Sequence, residues 1–530
     1  MPSYRSIAVV LAIIAALMLL GSIAYPFGYD QAVYAVGGEL VRAGKIPYRD
    51  FLDTKQPLIF YLFALAQAIF GSHEWSVRIL DVLYQSTTAY YFYRILRREL
   101  SSELSLTAVA LMVILYAGSG FWMTCEAESF AILPSVWLID LTFRASRAGP
   151  MTPRRSLFWL GVFSGIAAGS LLLLKFTLVI GVIPAVFFIL IRRIAVRLKR
   201  SYLSGIFLAS TLFFGMNLLY QWWVGGLPVF WQSLGWLWHY GSIGTDAHSF
   251  LAQIFLMFPE RIVYSASVLL TVLAITGIIS ARRSKVLAFR RSLLSLLLFT
   301  GFVQLFGVLL ERKIEFPYQY TRALWAFTPF MALSVEHLAA FFAKSKASIL
   351  VRTVLALCLI LAVALLSPLT RTVTQTEPWV AIALSGGDRA AEVSRRIPDY
   401  FAEDQKQVAS YFDSHFHSSG DLFFWGNDAG IYFFTHSVPT TSCITATPFR
   451  TAFTPPAWKT SMLVALQRNP PLYAISEFGD SKPYITGSKL DSYQSLLQWK
   501  GMESFLDSHY RLDTTIGHFL IFQRTLVVGN

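Results

Sequence analysis

The sequence predicts an α-helical polytopic membrane protein of about 11 transmembrane helices, with interfacial helices in the first outer loop and a small C-terminal α/β domain outside the membrane. Three observations predict it. First, 55% of the 530 residues are hydrophobic and only 14% charged, with a mean hydropathy of +0.53, far more apolar than an ordinary soluble domain. Second, the basic residues stand in short clusters between apolar runs of spanning length. Third, beyond residue 367 His, Asp, Ser, Pro and Gly become frequent and the apolar runs shorten to strand length. The net charge of +13 would suggest nucleic acid in a soluble chain, but its spacing follows the positive-inside rule, so no nucleic-acid partner is expected.

The apolar runs fall at 7–24, 76–95, 104–119, 130–143, 157–174, 176–191, 202–222, 262–279, 293–310, 323–342 and 349–366. The first follows Arg5, lacks a persuasive cleavage site and reads as an uncleaved anchor. Basic clusters follow the second, fourth, sixth, eighth and tenth runs, as in Arg94, Arg97 and Arg98, or Arg192, Arg193 and Arg197. That alternation places the N-terminus in the cytoplasm and the C-terminal domain outside a cell membrane crossed many times. The stretch 57–70 is apolar enough for half a span. A crossing there would turn every later basic loop outward, so it is expected to lie at the interface or to re-enter.

The chain divides into a membrane domain, 1–367, and an extracytoplasmic domain, 368–530. In the latter, strands are expected at 422–425, 431–434, 472–475 and 518–523 and helices near 401–416, 458–467 and 492–506, an α/β alternation. Asn427 and Asp428 read as turn residues. The three cysteines, Cys125, Cys358 and Cys443, have no metal-ligand spacing and suggest no disulfide framework.

Chemistry concentrates in the first outer loop, 25–75. Asp30 lies just beyond the first span, bracketed by Tyr25, Tyr29 and Tyr34, where a carboxylate could serve as general base or simply start a helix. GKIPYRDFLDTKQPL then places Tyr48, Arg49, Asp50, Asp53 and Lys55 within eight positions. Lys55 could meet a phosphate as a compact charge or snorkel at the interface.

An acid soon after the first span, then G-x-x-P-Y-x-D-F (Gly44, Pro47, Tyr48, Asp50, Phe51), then K-x-P-L-x-x-Y-L (Lys55, Pro57, Leu58, Tyr61, Leu62), then an aromatic helix ending at Phe70-Gly71, with Arg78 on the next span, resembles the first outer loop of GT-C membrane glycosyltransferases. The nearest group is the RgtA/B/C/D-like and dolichyl-phosphate-mannose protein mannosyltransferase-like one, which includes the aminoarabinose transferase of lipid A. That group often carries Asp-Glu where this chain has Asp30-Gln31. The resemblance implies a GT-C fold and a sugar donor on polyprenyl phosphate. It implies inverting transfer to a hydroxyl of a lipid, glycan or protein acceptor at the outer face, with Asp30 as base, or holding a metal or the acceptor, and Lys55 on the donor phosphate. It also favours Glu128, in FWMTCEAESFAILP, as a second functional acid; Glu126 fits that role and a helix start equally.

Two carboxylates from two loops could activate a hydroxyl or share a divalent cation. Metal dependence stays open, and His239 and His248 have no partner at ligand spacing. Lys175, flanked by LLLL and FTLVI, either breaks two spans or faces a polar cavity, and is a further candidate for the donor phosphate. In ERKIEFPYQYTRALW, Lys313 and Arg322 could contact phosphate oxygens, and Tyr318, Gln319 and Tyr320 the sugar, with Tyr29, Tyr48 and Asp50 from the first loop; an aromatic belt with interfacial cations is the alternative. The Trp-rich loop 223–261 suits the bilayer interface better than sugar stacking. The rival function is a polytopic transporter or flippase of lipid-linked sugars, which would show two repeated halves; no repeat is evident.

Overall fold

A computed structural model describes residues 4–243, 253–283, 292–312, 314–344, 368–415 and 421–525. The chain forms two compact units. One comprises Met1–Tyr25, Val77–Asn217 and Phe250–Leu384, the other Pro26–Ser76, Leu218–Ser249 and Ser385–Asn530.

The first unit is helical. Among the described residues five helices are long and apolar enough to cross a membrane: Tyr4–Ala24, Arg154–Leu174, Val196–Val224, Leu293–Glu311 and Pro317–Phe341. A pair bent by 97°, Ile254–Ala266 with Val268–Arg282, adds a sixth if counted as one broken span. The bend falls at Ser267, whose φ of 65° takes the chain out of helical geometry. The runs expected at 104–119 and 130–143 form Ser102–Ala117 and Ile132–Ser146, and the run at 176–191 opens as a 3-10 turn, Phe176–Gly181, before Val182–Ile191. These are shorter than a full span, and Glu74–Leu96 carries Glu74, Arg78, Asp81 and Arg94. Length and composition therefore do not by themselves yield eleven spans, and the run at 349–366 lies outside the described residues. Small residues bring the backbones of Arg154–Leu174 and Val196–Val224 together: a Cβ on Gly165 would lie 2.5 Å from the Ile206 carbonyl oxygen.

The second unit joins the loop after the first helix to a sheet domain. Its helices Tyr29–Arg42, Leu58–Phe70 and Leu227–Tyr240 accompany five strands: β1 (Asp421–Trp425), β2 (Val438–Pro439), β3 (Tyr473–Glu477), β4 (Tyr510–Ile516) and β5 (Phe519–Arg524). The order is β2-β1-β3-β5-β4. β1 is parallel to β2 and β3, while β5 is antiparallel to β3 and β4. β3 is buried along its whole length, as a parallel strand covered on both faces should be. β4 is an edge strand with four of its seven residues exposed.

Leu58–Phe70 has 13 residues, about 20 Å of helix, too short to cross a hydrocarbon core of about 30 Å. The expected strand at 431–434 is instead the helical turn Gly430–Phe434; a short buried apolar run has no period that separates strand from helix. β4 and the short β2 were not expected.

Leu52 and Trp236, from two different loops, share one apolar core with Trp425, Phe449, Trp458 and Met502 of the sheet domain. The Leu52 amide donates to the Ser442 carbonyl at 2.8 Å, and Trp236 Nε1 to Thr451 Oγ1 at 3.0 Å. Of the Trp-rich loop, Trp236 is thus a core residue while Trp231 and Trp238 are exposed.

Candidate functional site

In the second unit, Asp30 sits in the first turn of Tyr29–Arg42. Lys55 Nζ lies 3.3 Å from its Oδ2, with the Asp30 side chain 37% and the Lys55 side chain 18% exposed. The Tyr34 hydroxyl donates to the same oxygen at 3.4 Å. Lys55 reaches this point because its loop is tightly pinned. Tyr48 adopts a left-handed φ of 68°, unfavourable for a bulky residue, and is held by its amide on the Phe51 carbonyl at 2.7 Å and its hydroxyl on the Lys55 carbonyl at 2.6 Å. Asp53 Oδ1 accepts the Lys55 amide at 2.7 Å. Burial pushes the Asp53 carboxyl up to about 6 despite that bond and the nearby lysine.

The other first-loop residues serve the scaffold. Asp50 takes the Ile46 amide at 2.8 Å and a two-pronged bond from Arg49, at 2.9 and 2.7 Å. Tyr29 turns away from Asp30: its hydroxyl donates to the Asp399 carbonyl, Tyr400 packs edge-on, and Lys482 Nζ stands 3.4 Å from its ring centroid. Gln31 Oε1 accepts the Gly28 amide at 3.0 Å and closes the helix start, so the position that often holds a second acid is here a cap.

In the first unit, Lys175 breaks the helix with an extended φ of −166° and lies 2.6 Å from Glu128 and 2.5 Å from Glu311. Glu311 also meets Arg322 at 2.5 Å, and Thr177 donates to it. Two acids and two cations balance in charge, and all four are largely buried. Among the described residues, Glu128 Oε2 and Arg322 Nε and Nη2 have no hydrogen-bond partner. Sequence reasoning missed Glu311 and Thr177. The legible signal was an acid ending an apolar run; its partners were not legible. Glu126 stands at the N-cap of Ala127–Phe130, its amide on Ser129 Oγ at 3.2 Å, which fits the helix-start reading.

Arg78, 1% exposed, donates to Thr124 Oγ1 and the Phe121 carbonyl, both at 2.8 Å, and so fixes the loop before Glu126. Gln319 and Tyr320 are buried, with the Tyr320 hydroxyl on the Ile314 carbonyl at 3.0 Å. Tyr318 stacks on Phe316. Lys313 lies outside the described residues, as does His248. Asp30 and Lys55 are thus brought together in one unit, and Glu128, Lys175 and Arg322 in the other.

The sheet domain carries a buried acid cluster at the C-terminal ends of the parallel strands. Glu477 Oε2 accepts the Asn427 and Asp428 amides at 2.6 and 3.1 Å, which fits the turn role read for those two residues. Asp480 takes Arg450 at 3.0 Å. Burial pushes the Asp428 carboxyl up to about 7, from an ordinary 3.8, and Glu477 well up, each raised further by the neighbouring acids. A carboxyl that keeps its proton to higher pH in the folded chain contributes stability below its unfolded pKa and loses it as pH rises through the folded one. Thermal melting of the purified protein should therefore decline between about pH 4 and pH 7, and Asp428→Asn should flatten that slope. An unchanged slope would show that Asp428 is not the group responsible.

Among the described residues no group of three or more His, Cys, Asp or Glu is placed to hold a metal ion. Asp30 and Glu128 each pair with a lysine.

A polytopic helical membrane body together with a sheet domain has the layout of the GT-C fold. The comparisons agree. A family model described as dolichyl-phosphate-mannose-protein mannosyltransferase matches residues 54–220. No curated protein matches the sequence significantly. Among solved structures the chain is similar to ArnT from Cupriavidus metallidurans bound to undecaprenyl phosphate, with 11% identity, a TM-score of 0.58, and coverage of 98% of this chain and 99% of that one. It is also similar to the Archaeoglobus fulgidus oligosaccharyltransferase in complex with Zn and sulfate, at 15% identity and a TM-score of 0.52, covering 94% and 71%. At these identities the structural likeness is one of fold. The chain has the GT-C fold and, over 54–220, is similar in sequence to the mannosyltransferase group.

Proposed function

We propose that the protein is a membrane glycosyltransferase that moves a sugar from a polyprenyl-phosphate carrier to an acceptor hydroxyl at the outer face of the cell membrane, with inversion. The observation that carries this reading is the contact between Asp30 and Lys55 at 3.3 Å, on a loop whose residues match the GT-C pattern. In the free protein each group holds the other's charge. An arriving donor phosphate draws Lys55 to itself and leaves the Asp30 carboxylate able to take a proton. The acceptor oxygen then attacks the anomeric carbon as its proton passes to Asp30. The bond from that carbon to the phosphate oxygen breaks, and the polyprenyl phosphate leaves with its charge countered by Lys55. Similarity to an ArnT bound to undecaprenyl phosphate supports the choice of donor; no observation favours the transporter reading.

Lys55→Ala should raise the KM for the lipid donor about tenfold or more, the loss of one charge-assisted contact, and change the KM for the acceptor little. Equal effects on both would assign Lys55 to loop positioning instead.

The proposed orientation is tested by cysteine labelling. Cys443 is fully buried and unsuited as a probe. A Lys500→Cys variant, at an exposed position of the sheet domain, should react with an impermeant reagent from outside intact cells, and Arg197→Cys should not. The reverse pattern would invert the topology and remove the outer-face assignment.

A further inference from the structure

A cavity of about 360 Å³, lined by Arg154, Arg155, Phe158, Arg200, Ser201 and Ser204, lies within the first unit and includes none of the candidate site residues above. It opens where two membrane-length helices, Arg154–Leu174 and Val196–Val224, begin. These helices run parallel, since Gly161 faces Tyr202, Gly165 faces Ile206 and Gly169 faces Phe213. The positive ends of both helix dipoles therefore lie on the cavity's side. Ser201 Oγ donates to the Arg154 carbonyl at 2.8 Å and ties the helices together at the floor. No acid lines the cavity, and among the described residues none of its three arginines is ion-paired. Neighbouring Arg197, by contrast, is spent on the Pro150 carbonyl at 3.3 Å. Basic residues that only set topology need no cavity, no convergence from two helices and no absence of acids.

We propose that this cavity binds the phosphodiester headgroup of an anionic phospholipid. The depression is open and its arginines are exposed, as a headgroup site at a membrane surface requires, and guanidinium groups are matched to phosphate oxygens. The source is a lipid rather than free phosphate because the same two helices continue from the cavity as an exposed apolar face, with Trp159 47%, Phe163 44% and Phe207 73% exposed, on which acyl chains would lie. The site would hold a structural or regulatory lipid. It stands whether or not the proposed transfer reaction does.

The test uses the full-length protein in detergent, titrated with phosphatidylglycerol, phosphatidylcholine or inorganic phosphate, with binding read by thermal shift and by native mass spectrometry. Phosphatidylglycerol should bind saturably and phosphatidylcholine should not. Arg155→Gln/Arg200→Gln should weaken the apparent affinity for phosphatidylglycerol about thirtyfold, and Arg200→Gln alone about fivefold. The single variant keeps the test decisive if the double one folds poorly. Arg197→Gln should bind as the unaltered chain does. Undiminished binding by Arg200→Gln, or an equal loss in Arg197→Gln, would overturn the site. An equal response to inorganic phosphate would overturn the lipid.

Discussion

Asp30→Asn is expected to lower kcat for sugar transfer by about 10²–10⁴-fold, the range of a lost general base, while the protein still folds and binds its donor. The Asp30 side chain is 37% exposed and bonded only at 3.3 and 3.4 Å, so the substitution removes little packing. Its second consequence separates catalysis from structure. Asparagine no longer holds the Lys55 ammonium by charge, so the donor, competing for that lysine, should bind at least as tightly as before. A variant with slow turnover and an unchanged or lower donor KM fits a base whose resting partner is the phosphate-binding lysine. Slow turnover with a raised donor KM would mean that Asp30 positions Lys55 instead. Full turnover would end its assignment as base.

Lys175→Met is expected to destabilise the protein by about 3–5 kcal/mol, the cost of leaving a buried charge without its partner. The methionine would leave Glu128, whose side chain is fully buried, facing no cation, while Glu311 would retain Arg322. Adding Glu128→Gln removes the orphaned charge and should restore much of the loss, so the two substitutions should be strongly non-additive in unfolding experiments. Additive losses would show that the four charges do not act as one network. The same experiment bears on function. Lys175 and Arg322 are neutralised by two largely buried acids, whereas the Asp30 that pairs with Lys55 is partly exposed, and it is Lys55 that a donor phosphate can recruit at least cost.

The roles of neighbouring first-loop residues divided for physical reasons. Asp50, Asp53 and Lys55 lie within six positions, yet Asp50 is bound by Arg49 and the Ile46 amide, Asp53 is buried under the Lys55 amide, and only Lys55 reaches Asp30. Sequence proximity marked the loop as polar and crowded. It could not say which side chain turned inward, because Tyr48 reverses the chain with a positive φ that its residue type does not advertise.

The sequence by itself determined the solvent and the fold class. Hydropathy and basic-cluster spacing are local properties, and the bilayer reads them directly. Only the tertiary structure decided the partners: Glu311 beside Lys175, Gln31 as a cap and not a second acid, and Leu52 and Trp236 as core residues of the sheet domain. The first and last of these are contacts between segments far apart in the chain, with energy from burial and charge compensation that no window of sequence contains, while the Gln31 cap on Gly28 is local. The tertiary structure also decided that Asp30 and Lys55, given opposite ends of the reaction, rest against one another.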